Sequence, residues 1–441
     1  VHTNRLALSV LAALLLLSAC GRSTTHESAD PSLAPGLPAG WERELPEVTG
    51  ATLPASPAHL SALAAGCPTK LAAPYDANVL DTGLYWYSAS EAGVPGGVGC
   101  KARADGAAIS GYYDPNKPTI IYVHGWQNGS VTSGLIGGTT QSNGRENLYF
   151  KDGGLNPADH WIQRGWNVGI FHWTQLADDE GTGGAPYHAQ AKVWTPSYQY
   201  NDVYGRLQDI RMRYRNAAGG YTYAGMPSVS AGQLFYNAYK SALSQYAYAG
   251  GEGIRVVGHS LGSQMALALA WQAYSDGGLP TSKKPKRVVL ADPYWTPYNA
   301  QYGHSYGYLS PDASPAARAR RYVPRLKELG AVVEWIKSSR LNDLGGDNNE
   351  PLIASASRTE VFPEYITDWN AASGLARKHA VAPRWYFWSK QFAPGTATAA
   401  SAANTLSRAA DVMNASSKYD QQAGRGTATP GDDTFSRASY P

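Results

Sequence analysis

The sequence predicts an α/β fold, a mostly parallel sheet flanked by helices, and three observations lead there. Short β-branched runs recur at 119–123, 167–173, 254–258, 286–291 and 332–337, and each reads as a buried strand. Longer stretches of helical character lie between several of them, the alternation that builds a parallel sheet through right-handed crossovers. The chain has 441 residues, 43% of them hydrophobic and 16% charged, which suffices for a large core with appendages or for two domains.

At the front, Arg5 gives a thin positive region, residues 6–17 an apolar run, and Leu17-Ser18-Ala19-Cys20 small residues ahead of a cysteine. The pattern resembles the lipobox of bacterial lipoproteins. That implies a signal peptide over 1–19, lipid on the Cys20 thiol and a membrane-anchored place in the bacterial cell envelope. An ordinary signal peptide with an incidental cysteine is the other reading. The apolar run falls short of the about 20 residues that a transmembrane helix needs. Residues 20–66 are rich in Ala, Pro and Ser and read as a flexible tether. Cys67 and Cys100 remain, and export favours a bridge between them, worth roughly 3 kcal/mol by loop closure. Two buried free thiols are the alternative.

Residues 67–394 hold the expected folded domain. Early strands are expected at 85–87 and 107–110, helices near 201–215, 232–248 and 316–329, and a last strand around 359–366. Gly-rich insertions at 128–159 and 174–200 follow two strand ends, and insertions of that length are usually functional or disordered. Tyr187, Trp194, Tyr198 and Tyr200, with Tyr294, Trp295 and Tyr298, suit either an aromatic wall for an apolar ligand or the pinning of long loops. The stretch 395–441, rich in Ala, Ser, Thr and Gly, reads as a low-complexity tail. A net charge of +3 with no Lys/Arg block points to no nucleic-acid partner, and no ligand-spaced Cys/His cluster suggests a metal.

The 254–270 stretch organises the chemistry. A β-branched run breaks at Gly258 and an Ala/Leu-rich helix begins after Gly262, so Gly258-His259-Ser260-Leu261-Gly262 is G-x-S-x-G between strand and helix. Such a turn strains the serine backbone and exposes its hydroxyl, while flanking glycines let strand and helix close up. Ser260 is the candidate nucleophile, and the Leu261 N–H points where an oxyanion would form. A nucleophilic serine also needs a base, an acid to orient that base and a second oxyanion donor. His124-Gly125-Trp126, at an earlier strand end, suits the donor role through the Trp126 N–H, with His124 fixing the loop. In the order serine, acid, histidine the base is His379, beyond the last strand, or His304, in a Tyr/Gly/Ser-rich loop. His160 and His172 come too early. The acid is Asp292, ending the strand after the elbow helix, or Asp343 or Asp347 after the next strand, where the general rule puts it.

The series strand-His-Gly-aromatic, Asn-Val-x-x-x-x-Trp, Gly-His-Ser-Leu-Gly, x-x-Leu-x-Asp-Pro, then His followed by Arg and aromatics, resembles the pancreatic-type lipase family. It runs from about Thr119 to Trp388. The resemblance implies an α/β-hydrolase fold, a triad of Ser260, Asp292 and His379, and an oxyanion hole from Trp126 and Leu261, with no cofactor. His172 stands where the family has an aspartate before its tryptophan. Neither the cysteine pair that brackets the family's lid nor its β-sandwich domain has a counterpart here, so the hydrolase chemistry transfers better than a triglyceride substrate. The expectation is an exported, lipid-anchored serine hydrolase cleaving carboxylic esters of small molecules or lipids. Amide or thioester cleavage by the same triad stays open. The rival is a non-catalytic envelope protein that binds through the same scaffold, and an intact elbow, oxyanion turn and late histidine argue against it.

Overall fold

In the computed structural model of the chain the described residues are 66–71, 76–89, 99–127, 157–179, 186–202, 204–297, 305–363, 366, 372–388, 417–423 and 434–439. The expected signal peptide, Cys20 and nearly all of the tether lie outside them, as do His304, Tyr298 and most of the first insertion.

In chain order the strands are β1 (Gly83–Tyr87), β2 (Cys100–Lys101), β3 (Thr119–Val123), β4 (Asn167–His172), β5 (Ser197–Asn201), β6 (Leu207–Arg211), β7 (Tyr214–Arg215), β8 (Tyr221–Thr222), β9 (Ile254–His259), β10 (Arg287–Ala291), β11 (Val332–Lys337), β12 (Ser357–Pro363), β13 (Ser417–Ala423) and β14 (Thr434–Ser439). The helices used below are α1 (Pro157–Gln163), α2 (Thr174–Ala177), α3 (Tyr187–Trp194), α4 (Ala231–Ala242), α5 (Gly262–Ser275), α6 (Pro315–Glu328), α7 (Leu341–Gly345), α8 (Ala372–His379) and α9 (Val381–Trp388). Ten strands make one sheet in the order β14-β13-β12-β11-β10-β9-β3-β4-β1-β2. It is parallel from β4 through β13, with β1 and β14 antiparallel to their neighbours.

The β-branched runs occupy the sheet centre because a strand covered on both faces must be apolar throughout. Alternate residues divide between the two faces. Val256, Val288 and Val333 pack with Phe235, Leu267 and Val323 from α4, α5 and α6. Val257, Val289 and Ile336 pack with Trp161 of α1 and with Trp385 and Phe387 of α9. Two of these helices start on serines as capping chemistry requires: Ser230 accepts from the Gln233 N–H and Ser314 from the Ala317 N–H. Cys67 and Cys100 form a disulfide, Cα atoms 5.7 Å apart, which ties the start of the described domain to β2. Among the described residues no helix is long and apolar enough to cross a membrane.

Three expectations are corrected. Residues 107–110 are not a strand: Ile109 makes one isolated bridge to Tyr113 within a run of turns. The helix expected at 201–215 is instead the β5–β6 hairpin followed by β7. Its turn is held by the Asp202 carboxylate, which accepts from the Tyr204 and Arg206 N–H groups at 2.9 Å, a side-chain turn that competes with helix. The stretch 395–441 is not merely a tail, because β13 pairs with β12 and β14 with β13 to extend the sheet. The domain therefore runs past 394.

Candidate active site

Ser260 sits where β9 turns into α5, with φ +55°. Among the described residues only three non-glycines adopt the left-handed region, and two of them are Ser260 and Asp292, at φ +40°. Such strain costs about 1–3 kcal/mol per residue and survives only where the surroundings impose it. At Ser260 they do. Its N–H donates to the Ala291 carbonyl at 3.0 Å, and its own carbonyl accepts from the Ser263 and Tyr294 N–H groups, both at 3.1 Å. A Cβ at Gly258 would lie 2.2 Å from the Gly262 oxygen, and one at Gly262 would lie 2.3 Å from the Val123 oxygen. Neither position admits a side chain, so the elbow is as tight as the G-x-S-x-G reading requires. The serine is 1% exposed, so its hydroxyl is covered and not exposed as the turn alone predicts.

The end of β3 approaches the serine from the other side. A Cβ at Gly125 would lie 2.8 Å from Ser260 Cβ and 3.2 Å from its Oγ, so the 125–126 peptide runs beside the nucleophile. His124 holds that peptide. Its Nε2 accepts from the Trp173 N–H at 3.3 Å, which leaves the proton on Nδ1 to donate to the Gly125 carbonyl at 3.0 Å. In a trans peptide N–H and C=O point opposite ways, so pinning that carbonyl also fixes the direction of the Trp126 N–H. Trp126 is buried, and its indole N–H donates to the Asp179 carbonyl at 3.1 Å. The Asp179 carboxylate is buried between Lys192 at 2.7 Å and Arg213 at 2.9 Å. Burial alone would raise its pKa, but Lys192, His188 and Arg213 together hold it well below the usual carboxylate range. Leu261, the other expected oxyanion donor, is buried at the start of α5. Gly125→Ala is expected to lower kcat about 10²-fold by displacing one wall of the site. Turnover measured beside a thermal melt checks this, and unchanged turnover would remove the loop from the site.

Asp292 directly follows β10 and His379 ends α8, with α9 starting at Val381. The structure brings the two together. His379 Nδ1 lies 2.6 Å from Asp292 Oδ2, with the two residues 1% and 3% exposed. The carboxylate has other fixed partners. Its Oδ1 accepts from the Ser338 and Ser339 N–H groups at 2.9 and 3.2 Å, and the Ser339 hydroxyl donates to Oδ2. Asp343 pairs instead with Lys337 at 3.0 Å and Arg340 at 3.7 Å. Asp347 lies 3.9 Å from Arg320 and accepts from the Asn349 N–H at 2.9 Å. Neither of them meets His379 among the described residues. His172 is elsewhere, hydrogen bonded through Nε2 to the Tyr87 hydroxyl at 2.9 Å, and His160 lies on α1.

Sequence reasoning missed four residues that build this site. Ser338 and Ser339 follow β11 and cradle Asp292, and the Ser338 hydroxyl also bridges α8 to α9, donating to the Lys378 carbonyl at 2.7 Å and accepting from the Ala382 N–H at 3.1 Å. Asn342, in α7, accepts from the Trp295 N–H at 3.3 Å and donates to the Pro293 carbonyl, which fixes the turn after Asp292. His259 contacts His379 directly. The available signal was position: 338–339 lie just past the carboxyl end of the strand beside β10, where such sheets collect functional residues. The aromatics of the second insertion turn inward. Tyr187, Tyr294 and Trp295 are buried, and Tyr187 clusters with Tyr306 and Leu309, flanked by Trp194, Tyr198 and Tyr200. Among the described residues, Tyr187 and Tyr198 pin the insertion to the 305–309 segment through Ser305.

A mostly parallel sheet with helices on both faces, and a strained serine on a strand-to-helix turn at its carboxyl edge, make this an α/β-hydrolase fold. No family model and no curated protein matches the chain. Among solved structures it resembles a C6-C4 SN3 inhibited esterase B from Lactobacillus rhamnosis, at 12% identity over 74% of this chain and 78% of that one, with a TM-score of 0.23. A likeness that slight adds nothing to the geometry.

Proposed function

We propose that the protein is an exported, lipid-anchored serine hydrolase that cleaves carboxylic esters through Ser260, Asp292 and His379. The observation that carries the reading is the buried pair of Asp292 and His379, 2.6 Å apart, beside a strained serine whose backbone is bonded to Ala291 and Tyr294 on either side of that aspartate. A carboxylate only accepts, so Nδ1 of His379 carries the proton and Nε2 is the nitrogen left to act on Ser260. As Oγ attacks the ester carbonyl, Nε2 takes its proton, and the Trp126 and Leu261 N–H groups hold the oxyanion. The imidazolium then protonates the departing alkoxide. Water, deprotonated by His379, attacks the acyl-enzyme; the carboxylic acid leaves and the proton returns to Ser260.

The resemblance to the pancreatic-type lipase family supports ester chemistry. The test is labelling by a fluorophosphonate probe, with the modified peptide mapped to Ser260, and turnover across a chain-length series of p-nitrophenyl esters. A folded protein inert to both would favour a binding role on this scaffold. Anchoring is supported by the lipobox-like Leu17-Ser18-Ala19-Cys20. Cys20→Ala is expected to leave the membrane fraction or remain unprocessed, and a variant still processed and membrane-bound would rule lipidation out.

A further inference from the structure

We infer that His259 is a positioning residue that holds His379 in place against Asp292. The inference rests on the triad reading above. His259 is the last residue of β9, adjacent to the nucleophile in the chain, and is 3% exposed. Its Nε2 lies 3.1 Å from the backbone carbonyl oxygen of His379. A carbonyl only accepts, so Nε2 carries the proton and donates. The two imidazole rings also pack together, with centroids 4.6 Å apart and planes at 39°.

The need for such a contact follows from where His379 stands. It is the last residue of α8, and the final carbonyls of a helix have no intrahelical partner. His259 satisfies the one at residue 379, while the Ser338 hydroxyl satisfies the one at 378. Without these bonds the base would be carried on a loose helix end. With them, the strand that presents the nucleophile also fixes the backbone and ring plane of the base. Burial, with the neighbouring His379, His124 and Arg384, pushes the His259 pKa well below the usual imidazole value. His259 therefore donates as a neutral ring and places no second charge beside the imidazolium that forms on His379.

Two substitutions separate the contributions. His259→Phe keeps a ring against His379 but removes the N–H, whereas His259→Gln carries an amide N–H close to where Nε2 stood. A misplacement of about 1 Å can cost 10²-fold in rate, so the Phe variant is expected to lose roughly 10- to 100-fold in kcat on p-nitrophenyl esters, with KM changed less than about 2-fold. The Gln variant should recover to within about 5-fold of wild type. Should the Phe variant not fold, His259→Met fills the volume without a donor and takes its place. Wild-type kcat in a folded variant lacking the donor overturns the inference. So does a Gln variant no faster than that one, or a loss carried by KM. Ser260→Ala is measured alongside, because turnover retained there refutes the triad reading itself, a separate failure.

Discussion

Ser260→Ala is expected to lower ester turnover by on the order of 10⁶-fold, the loss that follows removal of a triad serine elsewhere. The residue is not needed to hold the elbow. Its Oγ makes no hydrogen bond among the described residues, while its N–H and carbonyl, which alanine keeps, make the three backbone bonds that fix the turn. Alanine bears the same Cβ and so the same strain at φ +55°. The variant should therefore melt like wild type, fail to take a fluorophosphonate label and show no ester turnover above background. A folded Ser260→Ala protein with appreciable turnover would move the nucleophile elsewhere and undo the functional reading.

The buried strands were legible almost to the residue, because a strand covered on both faces must be apolar throughout; β3 and β11 fall where the runs at 119–123 and 332–337 put them. Strands covered less completely carry no such mark. In β5 the exposed Ser197, Gln199 and Asn201 alternate with half-buried Tyr198 and Tyr200. The elbow was legible for a different reason: a strained turn between strand and helix needs glycines at fixed offsets, and Gly258 and Gly262 touch backbone atoms that no side chain could replace. The partners of Asp292 and His379 were not legible. Ser338 and Ser339 belong to no periodic pattern and matter only because β10 and β11 lie side by side. His259 reads in one dimension as the variable position of the motif, and its contact with His379 spans 120 residues of chain.

The acid was the choice the sequence left open, and it yields the second large effect. Asp292→Asn is expected to cost about 10⁴-fold in kcat, the loss seen when the orienting aspartate of a serine protease becomes asparagine. The geometry supplies the reason. Oδ1 accepts from two backbone N–H groups, those of Ser338 and Ser339. In the variant the amide oxygen must take that place, since an NH₂ there would face two donors. The NH₂ is then turned toward His379 Nδ1, where the carboxylate accepted a proton. Nδ1 must become the acceptor, which shifts the ring proton to Nε2. An Nε2 that already carries a proton cannot take one from Ser260, so folding survives and catalysis does not. Asp343→Asn and Asp347→Asn touch neither atom. Their partners are Lys337, Arg340 and Arg320 and the Asn349 N–H, and turnover should stay within about 3-fold of wild type, as expected for partly exposed ion pairs. The comparison requires all three variants, each checked for folding and assayed on the same p-nitrophenyl ester. Near-wild-type turnover in Asp292→Asn alongside a collapse in either of the others would place the acid after β11 instead.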